Sequence, residues 1–127
     1  MLEIEYNFDD FFTIEEVRAH CRVEFDYDDA ELKAFTEAAI EVVAGMVNGY
    51  LTKKDQTVAG FMVENSLTVN DNYWIIPFSK RVRAAVLLLV ADMYNNREAQ
   101  TDYNTYENRA LSLLVGPLKN VNVAFVG

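Results

Sequence analysis

The sequence predicts an all-α fold, a small four-helix domain resembling a bundle, with a long connection between the second and third helices and an extended C-terminal tail. Apolar residues recur at helical spacing through 32–50 and 82–93, and hydroxyl–carboxylate or carboxylate pairs with capping spacing stand before two of these helices. The 127 residues, 51% of them hydrophobic, suffice to bury a core in one domain spanning 1–127.

The first helix is expected to start at Thr13. Thr13 and Glu16 have capping-box spacing, Ile14, Val17 and Cys21 share a face, and the helix ends near Arg22. Asp28 and Glu31 repeat the capping spacing before a second helix that runs to about Asn48, with Gly49 as its stop. Residues 53–76 have no helical period and contain β-prone stretches at 57–63 and 73–76. They read as a loop with a small hairpin, a functional protrusion of the domain. Pro77 suits the first turn of the third helix, which covers 81–95. Val82, Ala85, Val86, Leu89, Val90 and Met93 form its stripe, and Leu87, Leu88, Ala91 and Tyr94 cover much of the rest, so this helix is expected to be central or to lie against another subunit. Asn104 and Glu107 are expected to cap a fourth helix that Gly116-Pro117 ends, and residues 118–127 alternate as a strand does.

All of the net charge of -9 lies in the first quarter of the chain: residues 1–31 hold eleven acids against Arg18 and Arg22, and the remaining acids and bases cancel. A surface of that sign repels phosphates, which argues against tight nucleic-acid binding. One cysteine makes no internal disulfide, no N-terminal basic stretch leads into an apolar run, and no apolar run approaches the roughly 20 residues that cross a bilayer. The expectation is a chain made in a reducing cytoplasm and away from membranes.

Chemistry is hard to assemble from this chain. His20 is the only histidine and Cys21 the only cysteine. They cannot build a multi-histidine or Cys-His-Cys metal site, and as helix neighbours they point about 100° apart, wrong for a catalytic pair. Asp26, Asp28, Asp29 and Glu31 lack the sixth-position glycine and twelfth-position glutamate of a calcium loop. No phosphate-binding glycine loop, nucleophile elbow or HExxH helix is present. No enzyme activity, cofactor or metal is expected. Lys80, Arg81 and Arg83 form a basic cluster where positive charge opposes the dipole of the third helix, which hints at a partner.

Two segments carry a family resemblance. Thr13-Ile14-Glu15-Glu16-Val17-Arg18 through Val23 is followed by Asp28-Asp29-Ala30-Glu31-Leu32; later come Pro77, the apolar run 82–90 and Tyr94-Asn95-Asn96-Arg97-Glu98-Ala99. Over about 13–115 the chain resembles the head-tail connector, or adaptor, family of tailed bacteriophages. Cys21 stands where the family pattern usually has leucine, and residues 53–73 match nothing in it. The resemblance implies a non-enzymatic virion protein whose copies form a ring, twelve-fold in the virion, under the portal. Such a ring extends the DNA channel, lets DNA pass without specific binding, and presents a platform for stopper or tail-completion proteins. It would be found in the host cytoplasm during assembly and then at the head–tail interface. The residues expected to meet other subunits or partners are Trp74, Phe78, Arg81, Arg83, Tyr94, Arg97, Val121, Val123 and Phe125, and those expected to face the channel are Glu3, Glu5, Asp9, Asp10, Glu24 and Asp26. The alternative is a small acidic protein–protein interaction module acting as monomer or dimer; a carboxylate-bound magnesium enzyme built around 26–31 is a third reading.

Overall fold

The structure, a computed structural model, describes residues 2–96 and 109–119. Residues 2–7 run extended into a turn of 3-10 helix at Phe8–Asp10, followed by α1 (Ile14–Cys21) and α2 (Asp29–Val47). Strand β1 (Tyr50–Leu51), α3 (Val58–Glu64) and β2 (Ile75–Ile76) come next, then α4 (Lys80–Asn95) and α5 (Arg109–Val115), which leads into a 3-10 turn at Gly116–Leu118. The protein is mostly helical, as expected, with a two-stranded sheet added.

Helix α1 begins as its sequence predicts. Thr13 Oγ1 accepts from the Glu16 amide at 3.3 Å while a Glu16 carboxylate oxygen accepts from the Thr13 amide at 2.9 Å, so two orphan donors are satisfied reciprocally. Arg22 then turns left-handed (φ 59°), and the Val23 amide closes the helix on the Arg18 carbonyl at 2.9 Å. Helix α4 is the centre of the molecule: it packs on α2 most extensively, then on α5 and α1. Val82, Ala85, Val86, Leu87, Leu89 and Val90 of α4 are buried against Leu32, Ala39, Ile40, Val43 and Val47 of α2 and Leu111 and Val115 of α5, in one continuous core. The same core takes in Tyr6, Phe8, Phe11 and Phe12. Phe78 joins them edge-on, its ring centroid 5.0 Å from Phe11 and 5.6 Å from Phe12.

Several expectations are corrected. The strands are parallel, with Tyr50 opposite Ile75 and Leu51 opposite Ile76, so the segment between them is a crossover and no hairpin. The stretch 57–63, read as β-prone, is largely helical: Thr57 Oγ1 accepts from the Gly60 amide at 2.9 Å and starts α3, whose only buried side chain, Phe61, lies against the Tyr50 ring. The residue that ends α2 by turning left-handed is Asn48 (φ 57°), not Gly49. Gly49 is required for a different reason, because a Cβ there would lie 2.5 Å from the Trp74 carbonyl oxygen and 2.7 Å from the Trp74 ring. Helix α4 starts after Ser79, whose hydroxyl accepts from the Val82 amide at 3.3 Å, so Pro77 precedes the cap instead of occupying the first turn. Asp28 occupies the N-cap position of α2 without a side-chain capping bond. Five helices are described where four are predicted; the cap at Asn104 and Glu107 and the tail beyond Lys119 lie outside the described residues.

Candidate assembly surfaces

The side chains with chemical potential are held apart or engaged structurally. His20 is exposed, and Cys21 is half-buried, where burial pushes its thiol up and away from the reactive thiolate. Among the described residues no three His, Cys, Asp or Glu side chains come together as a metal site. In the acidic turn before α2, Asp29 takes both of its oxygens to Arg18, each at 2.8 Å, and that guanidinium holds its carboxyl below the usual range. Asp28 accepts from the Tyr94 hydroxyl of α4. The turn is thus tied to both neighbouring helices.

Two members of the basic cluster at the start of α4, Arg81 and Arg83, also find partners within the chain, whereas Lys80 is exposed. Arg83 reaches Glu16 at 3.3 Å and sits over the Phe12 ring, its guanidinium carbon 5.7 Å from the centroid. Arg81 directs a guanidinium nitrogen at the Leu113 and Leu114 carbonyls, each 3.4 Å away, at the end of α5 where the helix dipole favours a cation. The unfavourable charge at one helix terminus is therefore favourable at another. Of the residues expected at interfaces, Phe78, Arg83 and Tyr94 are half-buried by contacts inside the subunit, and Trp74 and Arg81, which also bond within it, stay exposed. The Trp74 indole donates to the Leu118 carbonyl at 3.0 Å, which ties β2 to the end of the α5 turn. Arg97, Val121, Val123 and Phe125 lie outside the described residues.

The acids expected to face a channel fall into two groups. Glu3 and Glu5 line a groove of about 780 Å3 between residues 2–7 and the second half of α2, and Glu37 and Glu41, which sequence reasoning did not select, line it too. Glu37 also accepts from the Phe8 amide at 2.8 Å and so anchors the segment. Asp9 and Asp10 follow directly on that segment. Glu24 and Asp26 sit at the other end of α2, a helix about 28 Å long by its rise of about 1.5 Å per residue.

Two apolar surfaces mark these same ends. Before α2, the Phe25 and Tyr27 rings lie 5.6 Å apart and are 62% and 85% exposed. Beyond α2, Val58, Met62, Val69, Tyr73, Trp74 and Ile75 line a groove of about 330 Å3, none of whose lining residues is charged. Val42, Val63 and Leu113 are exposed singly elsewhere, as is ordinary, whereas in these two places apolar side chains are grouped. Periodicity arguments miss both, because Phe25, Tyr27 and Val69 belong to no amphipathic helix.

The fold and these surfaces describe a helical assembly subunit. Residues 11–113 match the phage gp6-like head-tail connector protein family, and the chain belongs to that family. It is a family of structural proteins joining phage head to tail, so the chain is a virion component whose contacts are with head and tail parts. No curated protein and no solved structure matches the chain. Among the described residues no helix is long and apolar enough to cross a membrane.

Proposed function

We propose that copies of this chain form a closed ring, twelve-fold in the virion, that docks beneath the portal, extends the DNA channel and receives a stopper or tail-completion protein on its far side. The observation that carries the proposal is family membership over residues 11–113. The presence of exposed apolar surfaces at both ends of α2 supports it, since a ring of identical subunits needs two different faces on each copy. Glu3, Glu5, Asp9 and Asp10, with Glu37 and Glu41 behind them, supply a wall that repels phosphate at short range, screened beyond about 8 Å at physiological salt, so DNA slides without sticking. Glu24 and Asp26 stand apart from this wall. The chain acts as one domain and is assembled in the host cytoplasm before joining the virion.

Native mass measurement of the purified chain, alone and mixed with portal, tests the ring. A closed oligomer, in solution or on the portal, is expected; a chain that stays monomeric or dimeric in both cases supports the acidic interaction module instead. Changing Glu3, Glu5, Asp9 and Asp10 to Gln or Asn leaves ring mass unaltered and slows DNA ejection, and unchanged ejection kinetics would refute the channel role.

A further inference from the structure

We propose that the ring contact seats the Phe25–Tyr27 ring pair of one copy in the uncharged groove of the next, formed by Val58, Met62, Val69, Tyr73, Trp74 and Ile75. The proposal rests on the ring reading and names the two surfaces that make it. Phe25 and Tyr27 form a pre-set projection. The chain on one side of them is closed by the Val23 amide on Arg18, on the other by the Asp29 amide on the Asp26 carbonyl at 3.2 Å, and the Arg18–Asp29 pair staples the two sides together. Little order remains to be imposed when the rings are covered.

Charge selects the groove as the receiver. The net charge of -9 lies entirely in residues 1–31, so a contact that pairs two such segments brings acids together, and the acidic turn that carries the ring pair is better received by the neutral remainder of the next copy. The groove has no charged lining residue. Asp71 adjoins it on the Thr68 side, where its carboxylate accepts from the Thr68 amide and is thereby engaged within the subunit, whereas on the Trp74 side the indole holds the carbonyl of Leu118 next to exposed Lys119, and exposed Arg81 lies further along on the end of α5. Glu24, which precedes the ring pair, and Asp26, which lies between its two residues, complement Lys119 and Arg81. The projection and the groove stand at opposite ends of α2, so the contact is head-to-tail, the kind that builds a ring when its rotation closes. With Phe25 62% and Tyr27 85% exposed, the two side chains have roughly 220–370 Å2 left to bury on the projecting side. That is below what a stable isolated dimer uses, about 1,200–2,000 Å2 in total, so the pairing holds where ring closure or a portal template adds contacts.

The test uses the full chain with Cys21→Ser, carrying either Tyr27→Cys or Val69→Cys. Mixed under oxidising conditions at high concentration, with and without portal, the two variants are expected to give a cross-linked heterodimer. Val69→Cys by itself gives no such dimer. Phe25→Ser/Tyr27→Ser, both at exposed positions, is expected to melt as wild type does and to lose ring formation at least tenfold. Rings that form undiminished in Phe25→Ser/Tyr27→Ser, without a 27–69 cross-link, overturn this pairing and leave the ring reading standing. Self-cross-linking of Val69→Cys, or its cross-linking to portal instead of a second copy, overturns it equally. A wild-type chain that remains monomeric even with portal overturns the ring reading and the pairing together.

Discussion

Gly49 is where one missing methyl group decides how two elements meet. Its Cα faces the Trp74 carbonyl and indole at a separation that no Cβ tolerates, and the same Trp74 carbonyl accepts the Tyr50 amide at 2.8 Å to start the parallel pair. Gly49→Ala is expected to push β1 from β2 and destabilise the chain by about 1–3 kcal/mol. Because Trp74 is the only tryptophan, its fluorescence in denaturant titration reports both the loss and the local shift. Glu16 illustrates a charge effect. Its carboxyl is held below the ordinary 4.5 chiefly by the Thr13 amide, with help from Arg83. A carboxyl lowered in the folded state contributes stability that is fully present above its ordinary value and is lost as pH falls through the lowered one. Glu16→Gln is therefore expected to melt below wild type at neutral pH, by no more than about 1 kcal/mol for a partly solvated pair, with the gap closing in acid. A gap that is constant with pH would show that the carboxylate charge contributes nothing.

At the scale of elements, α5 shows how a short helix is held from outside. Of its residues Leu111 and Val115 are buried, and its C-terminal carbonyls receive Arg81 from α4. Arg81→Gln is expected to loosen α5 by about 0.3–1 kcal/mol, seen as faster amide exchange in α5 while α2 and α4 keep their protection. Unchanged exchange in α5 would mean that burial alone holds it. Helix α3 shows the limit of local reading. Val58 and Val63 favour extended backbone, a single residue, Phe61, is buried, and no Glu or Gln stands at the third position to complete a capping box. The helix exists because Thr57 caps it, Phe61 packs on Tyr50, and Glu64 reaches back to Lys53 at 2.8 Å and Gln56 at 2.9 Å. Such contacts leave no period in the sequence.

For the whole molecule, α4 is the element around which the others are arranged. Leu89→Asp would place an unpaired charge in the core, at a cost of several kcal/mol against a typical stability of about 5–15 kcal/mol. The variant is expected to be insoluble or to lack a cooperative melting transition; a soluble variant with a cooperative transition would remove α4 from the centre.

The three strongly periodic or capped helices, α1, α2 and α4, were readable from the chain because burial on one face imposes a 3.6-residue repeat and a first turn needs donors satisfied locally. The family resemblance rested on those same segments. Three other features depend on partners distant in sequence. Phe11 and Phe12 meet Phe78, just before α4, and Tyr6 packs on Phe11 and Phe8 on Phe12, so the N-terminal aromatics join the core through a residue far along the chain. The intrachain contacts of Arg81 with the end of α5 and of Arg83 with Glu16 exist only once α5 and α1 are in place. The groove beside Trp74 and the ring pair at Phe25 and Tyr27 become surfaces only when the parallel strands and the stapled turn set them at opposite ends of α2, since a contact between residues far apart in sequence is a property of packing, which no local pattern encodes.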